Sequence, residues 1–315
     1  MGIFRRGLKR DGPEAPRDQE LTMLSEAEAA LLRVQVRAAF AESGLEVTVF
    51  AAHVTDSAGR AFGLNNLAAV CHNDDRGLRA WPGLAREHVT KLLRSLDGPD
   101  VLQTLPREQL LAQLYPRLVP SDSLANPLSY CYGPPLTEGL VEVLALDLPE
   151  TVQILPEHVV ETIGSPAGLR ARALQNLREM PVERHEVIKE QDGARIDVLM
   201  GDSYFVASLV LILDTAVQQF AGARLGPDGA LVAMPFRHQL AFHAISDMTV
   251  IPSLNSMARF AATGFEEAPG AVSPSVYWWR PGAPLVRLSE KDGQGGLRVV
   301  VESEFQELLE RLAAE

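Results

Sequence analysis

The chain has 315 residues, of which 46% are hydrophobic and 22% are charged, a balance typical of a globular protein that buries its own core. Its 29 basic and 41 acidic residues give a net charge of −12, which disfavours nucleic acid and anionic lipid as partners because both carry phosphate. Two cysteines, Cys71 and Cys131, exclude a disulfide framework but leave a single bridge open. The lack of a secretory signal and of any apolar stretch of about 20 residues predicts a cytoplasmic protein without a membrane span.

The first half of the chain predicts helices that alternate with hairpins. Residues 1–20 carry several arginines and little hydrophobic periodicity, so we expect a disordered basic tail. Ser25 and Glu28 have the spacing of a capping box, which predicts a helix that begins at Ser25 and ends near Gly44. The remaining predictions are a strand over 47–53, a turn over 56–59 with an antiparallel return over 60–64, helices over 67–72, 84–96 and 107–115, a loop over 119–137, a hairpin over 140–145 and 151–155, and a helix over 156–162.

The second half repeats this alternation and adds a hairpin and a helix at its end. The predictions in chain order are a helix over 169–180, a hairpin over 185–189 and 196–200, a short strand over 204–206, an apolar helix over 208–220, a hairpin over 230–235 and 239–244, a helix over 251–262, a hairpin over 275–280 and 285–288, a flexible loop over 291–296, and a last helix from Ser303.

These elements predict an α/β (α+β) fold with antiparallel or mixed sheets. Both halves follow the order helix, hairpin, helix, hairpin, helix, which indicates an internal duplication, although negligible identity between the halves leaves coincidence as the alternative. The predicted organisation is a basic tail over 1–20, α/β units over 21–165 and 166–265, and a C-terminal hairpin and helix over 266–315.

The motifs of common cofactors and nucleophiles are absent from the sequence. No Walker A, G-x-G-x-x-G or G-x-S-x-G pattern occurs, and the histidines lack the spacing of zinc ligands, so we predict no cofactor and no metal. The segment with the most suggestive chemistry contains Arg237 and His238 at a hairpin tip, where Arg237 could clamp a carboxylate or phosphate. Tyr204 and Ser208 complete a candidate ligand site, whereas the alternative is a surface turn with a structural ion pair.

A second candidate surface is the aromatic strand around residues 277–280. Strand alternation directs Tyr277 and Trp279 to one face and Trp278 to the other. Tyr277, Trp279 and Arg280 are residue types that dominate protein interfaces, so one face is a candidate partner-binding surface. Burial of both faces in the core is the alternative.

Several segments of the chain resemble the uncharacterised bacterial family DUF1444, or YtpQ-like. They are residues 64–67 (LNNL), 140–147 (LVEVLALD), 173–177 (ALQNL), 201–211 (GDSYFVASLVL) and 232–237 (VAMPFR), and the resemblance spans roughly residues 45–265. The family favours Asp after the arginine, where this chain has His238. The resemblance implies an α/β fold and leaves the activity open.

Three functions remain open from the sequence. The leading prediction is a non-enzymatic protein-binding adaptor or chaperone-like factor, whose partner segment would lie in a groove or at a sheet edge. The first alternative is a hydrolase or small-molecule binding protein with its site near Arg237 and His238. The second alternative is nucleic-acid binding through the basic N-terminal tail.

Overall fold

The chain is divided into two structural units. The computed structural model describes residues 16–57, 59–97, 101–124, 126–149, 151–291, 297–300 and 303–314. The first unit comprises Met1–Gly98 with Glu266–Gly270, and the second comprises Pro99–Phe265 with Ala271–Glu315. This division falls at Gly98, and the predicted boundary between residues 165 and 166 stays a prediction. Leu144 and Leu155 pack in one cluster with Leu169 across that predicted boundary.

The first unit packs helices against a small antiparallel sheet. Its elements are α1 (Glu26–Glu42), β1 (Val47–Val49), β2 (His53–Asp56), β3 (Ala61–Gly63), α2 (Asn65–Asn73), a 3₁₀ turn (Gly77–Arg79) and α3 (Trp81–Asp97). The predicted capping box is confirmed, because Ser25 and Glu28 bond each other's backbone amides at the start of α1. The strand predicted over 47–53 is two strands, because the amide of Phe50 donates to the carbonyl of His53 and closes a turn.

The predicted basic tail lies largely outside the described residues, which begin at residue 16. The last residues of that segment are ordered against α1. Both carboxylate oxygens of Asp18 accept hydrogen bonds of 2.9 Å from the guanidinium of Arg33. These bonds from Arg33 lower the pKa of Asp18 to about 2 against the opposing effect of its burial. Asp18, which falls within the predicted tail, is therefore held against α1.

A three-stranded antiparallel sheet opens the second unit. Its order is β4 (Leu114–Pro120), β5 (Leu140–Asp147), β6 (Val152–Leu155), and the neighbouring helices are α4 (Val101–Thr104), α5 (Arg107–Ala112), α6 (Glu157–Ile163) and α7 (Pro166–Glu179), with 3₁₀ turns at Ser121–Ser123 and Pro127–Tyr130. The predicted hairpin of β5 and β6 is confirmed. The strand β4 replaces the end of the predicted helix over 107–115 and the start of the predicted loop. Its prolines are tolerated because β4 lies at the edge of the sheet.

A six-stranded antiparallel sheet forms the centre of the second unit, in the order β12-β11-β9-β10-β8-β7. Each predicted hairpin of this half is confirmed as an antiparallel pair. The elements are β7 (Arg184–Lys189), β8 (Arg195–Met200), a 3₁₀ helix (Val206–Ile212), α8 (Leu213–Ala221), β9 (Ala230–Ala233), β10 (Gln239–Ala244), α9 (Val250–Glu267), β11 (Val276–Trp279), β12 (Val286–Arg287), the separate pair β13 (Ser289–Lys291) and β14 (Leu297–Val299), and α10 (Ser303–Ala314).

Side-chain alternation gives the six-stranded sheet two buried faces. Val232 and Phe242 join the core formed with the 3₁₀ helix and α8. Leu231 and Ala241, their neighbours along the strands, join the core formed with α9 and α10. The outer strand β7 is the exception, because most of its residues are exposed.

Two local predictions in this half are wrong. Residues 204–206 form no strand, and the apolar helix predicted over 208–220 begins as the 3₁₀ helix before α8. Residues 209–213 form an unbroken apolar run, which lacks the periodicity that separates these alternatives. Most of the flexible loop predicted over 291–296 lies outside the described residues. The mixed α/β class is confirmed, and the internal duplication stays a prediction. Within the described residues no helix has the length and apolar character needed to cross a membrane.

Candidate functional site

The 3₁₀ helix Val206–Ile212 brings together the two segments that carry the candidate site. The hydroxyl of Ser208 accepts a hydrogen bond of 3.3 Å from the backbone amide of Leu118 in β4. The amide of Ala207 donates to the carbonyl of Arg237 at 3.1 Å. Leu118 directly follows Arg117 in β4. The 3₁₀ helix is therefore hydrogen-bonded to the backbone beside Arg117 and to that of Arg237.

Arg237 and His238 form a directional hydrogen-bonded pair. The Nε of Arg237 donates to Nε2 of His238 over 3.0 Å, and Nδ1 of His238 lies 3.0 Å from the carbonyl oxygen of Ser203. Since an arginine nitrogen only donates, the His238 ring is neutral and carries its proton on Nδ1. Burial, and then the charge of Arg237, lower the pKa of His238 to about 4, in agreement with the neutral form.

Tyr204 forms the solvent-facing side of the site. The Arg237 guanidinium carbon lies 4.2 Å from the centroid of the Tyr204 ring, a cation–π arrangement. The rings of Tyr204 and His238 are 5.1 Å apart between centroids. Because 38% of Tyr204 is exposed, solvent reaches this side of the pair.

Arg117 of β4 is a candidate site residue that the sequence did not single out. Burial, followed by the charge of Arg237, lowers the pKa of Arg117 to about 10. The Nε of Arg117 is buried and has no acceptor among the described residues. The sequence signal was the apolar alternation at Leu114, Pro116 and Leu118, which indicates a strand with Arg117 between its apolar positions.

We call Arg117, Arg237, Tyr204 and His238 the arginine cluster. Its two cations have no carboxylate within 4.0 Å among the described residues, whereas Arg170 and Arg195 of the same unit are paired. Arg170, for example, holds the buried carboxylate of Glu142 at 2.6 Å. Within the described part of the chain, the ion pair expected for a plain surface turn at Arg237 is therefore not formed.

Ser208 supports the site and does not face a ligand. Only 1% of the residue is exposed, and its hydroxyl is used by the backbone of β4. Of the four residues predicted to bind a ligand, the structure brings Arg237, His238 and Tyr204 together and places Ser208 beneath them.

The predicted partner-binding strand lies inside the sheet as β11. Tyr277 is 1% exposed, and its hydroxyl lies 2.7 Å from that of Ser273. Trp279 packs against the same core as Tyr277, and Trp278 contacts Phe305 of α10 on the other face. Both faces are therefore buried, which is the alternative left open by the sequence.

Arg280, the third predicted partner-binding residue, has contacts inside its own unit. Its guanidinium lies 4.0 Å from the ring centroid of Trp278 and 2.8 Å from a carboxylate oxygen of Glu304. These contacts fix β11 against α10.

Neither the cysteines nor the histidines assemble a further centre in the described part of the chain. No group of three or more His, Cys, Asp or Glu is arranged there to hold a metal ion. Cys71 is buried, and burial raises the pKa of its thiol to about 12, which suits a packing role. Cys131 is an exposed free thiol.

Two grooves on the surface lie away from the arginine cluster. One in the second unit has a volume of about 320 Å³ and is lined by Asn126, Leu128, Ser129, Glu157, His158 and Glu161. The cations of the arginine cluster, by contrast, lose hydration by burial without gaining a carboxylate partner among the described residues.

Comparison with protein-family models, with curated proteins and with solved structures finds no match for this chain. The resemblance to the YtpQ-like family therefore stays a prediction.

Proposed function

We propose that this chain binds a small anionic ligand, a carboxylate or a phosphate, at the arginine cluster. The observation that carries the proposal is a set of two part-buried guanidinium groups, Arg117 and Arg237, which have no carboxylate partner among the described residues. The backbone beside Arg117 and that of Arg237 are both hydrogen-bonded to the 3₁₀ helix. A desolvated, unpaired cation is costly, and two that repel each other cost more. A bound anion offsets both costs and accepts the free N–H groups.

The neighbouring side chains give this site a fixed geometry. Neutral His238 accepts the Nε–H of Arg237, so the two Nη groups of that guanidinium stay available for a bidentate contact. Arg117 adds its unpaired Nε–H, and Tyr204 holds the plane of Arg237 from the solvent side. Planar, charge-assisted hydrogen bonds of this kind suit carboxylate and phosphate oxygens alike.

The same contacts favour binding over hydrolysis. A general base needs a pKa near the working pH, whereas that of His238 is about 4 and both its ring nitrogens are engaged. The hydroxyl of Ser208 is buried and already accepts a backbone hydrogen bond. The adaptor function stays a prediction that has lost the support of an exposed aromatic strand.

Calorimetric titration with inorganic phosphate, and separately with succinate, tests the proposal. We expect saturable binding of at least one of these anions to the wild-type chain. Arg117→Ala and Arg237→Ala should each weaken it by about 10-fold or more, since one charge-assisted hydrogen bond contributes about 1.5–3 kcal/mol. The control is Arg224→Ala, which removes an exposed arginine of the same unit and should leave the affinity unchanged.

The two anions separate the ligand classes. Preference for phosphate would indicate a phosphorylated ligand, and preference for succinate would indicate a carboxylic acid. Absence of binding for both anions, or equal loss in Arg224→Ala, would contradict the proposal.

A further inference from the structure

The strand β7 (Arg184–Lys189) ends the six-stranded sheet and has one unpaired edge. Its only sheet neighbour is β8, and no other described strand lies beside it. Val187 is 42% exposed and Ile188 is 36% exposed, although both are β-branched residues that favour a paired strand. An exposed edge of this length is a template for another strand.

The alternation of hydrogen-bonded and non-hydrogen-bonded pairs between β7 and β8 determines which backbone groups of β7 are free. The amide of Glu190 donates to the carbonyl of Ala194 in the partner strand of the hairpin. Bonded and unbonded positions alternate along an antiparallel pair, so Arg184, Glu186 and Ile188 direct their backbone groups to β8. The N–H and C=O groups of His185, Val187 and Lys189 therefore point out of the sheet.

The positions of the outward N–H and C=O groups limit the registers in which a second copy can pair with β7. Symmetric antiparallel pairing requires outward residues to face outward residues. The register with the greatest overlap places Val187 opposite Val187 of the partner subunit and His185 opposite Lys189 of the partner subunit. Each of these facing pairs can exchange two backbone hydrogen bonds.

Charge complementarity favours the same register. It places Arg184 opposite Glu190 of the partner subunit, and Glu186 opposite Ile188 of the partner subunit. A shift of two residues in one direction sets Glu186 against its own copy, and a shift in the other sets Glu186 against Glu190 of the partner subunit. Directly opposed like charges are destabilising, so both shifts are disfavoured.

We propose that β7 is a homodimer interface, at which a second copy of this chain extends the six-stranded sheet by antiparallel pairing centred on Val187. The interface shares no residue with the arginine cluster, so it does not depend on the proposed anion binding. Its expected size is that of a single strand edge, which corresponds to a reversible dimer rather than an obligate one.

Sedimentation velocity of the full chain over a concentration series from about 1 to about 100 µM tests the proposal. We expect a reversible shift from monomer to dimer with rising concentration. Val187→Pro removes an outward N–H that has no partner in the sheet, and we expect it to weaken dimerisation by at least 10-fold. Val187→Thr retains the N–H and the β-branched shape, and it should dimerise like the wild type.

A charge swap tests the register and guards against misfolding of the proline variant. Arg184→Glu should weaken the dimer, and adding Glu190→Arg to it should restore the dimer, because the pairs then have opposite charges again. Circular dichroism and the melting temperature establish that each variant is folded. A wild-type chain that stays monomeric throughout the series, or a dimer that a folded Val187→Pro variant leaves unchanged, would overturn the proposal.

Discussion

At the scale of single residues, the neutrality of His238 is what makes Arg237 available. A protonated imidazole has no acceptor nitrogen, so protonation of His238 would break the hydrogen bond from Arg237 Nε and set two cations side by side. The lowered pKa of about 4 means that the folded chain keeps the acceptor at neutral pH.

This arrangement predicts a pH dependence of stability. Between about pH 6.5 and pH 4 a histidine in the unfolded chain binds a proton that folded His238 does not, so the free energy of unfolding falls as the pH falls. The full effect is about 3 kcal/mol, present above pH 6.5 and lost towards pH 4. Denaturant unfolding of the wild type and of His238→Gln at several pH values measures it. The variant should lose less stability over this interval, and equal slopes would show that His238 does not resist protonation.

At the scale of elements, Gly229 sets the spacing between β9 and β11. It precedes β9 with a φ of +72°, and a Cβ at this position would collide with the backbone carbonyl of Trp279. Gly222 at the end of α8 also has a positive φ, of +63°, but open space around it. Substitution of Gly222 therefore tests the cost of a positive φ alone, and substitution of Gly229 tests that cost together with the collision.

We expect Gly229→Ala to destabilise the chain clearly more than Gly222→Ala. The left-handed conformation costs a non-glycine residue about 1–2 kcal/mol at either position, and the collision at Gly229 adds about 1–3 kcal/mol because a strand must move. Denaturant unfolding of both variants gives the difference. Equal losses would mean that β9 and β11 can separate without cost.

Period-two alternation and turn residues determine most of the hairpins of this chain, and they were predictable from the sequence. The strand β4 was missed because Pro116 and Pro120 are typical of loops, and only the position of β4 at a sheet edge makes them compatible with a strand. Arg237 and His238 stood out as neighbours in sequence. Arg117 could not be joined to them, because the contact of β4 with the 3₁₀ helix depends on tertiary packing.

At the scale of the whole molecule, an acidic chain contains a small site of opposite charge. The net charge of −12 repels extended polyanions, while screening over about 10 Å at moderate salt would let the arginine cluster bind the short anion that we propose. Burial of the unpaired arginines lowers the free energy of unfolding. The core of the second unit offsets this loss, since it buries the six-stranded sheet on both faces. The central claim is that Arg117 remains unpaired for binding at the expense of stability.

Thermal unfolding of the wild type and of Arg117→Met, each with and without millimolar phosphate, tests that claim most directly. Methionine retains the apolar stem and removes the unpaired charge, so the variant should gain about 1 kcal/mol and melt about 2–4 °C higher without phosphate. Phosphate, or succinate where the titration shows that succinate binds more tightly, should raise the melting temperature of the wild type and raise that of the variant less. A variant that melts below the wild type, or that phosphate stabilises equally, would contradict the account and assign Arg117 a structural role.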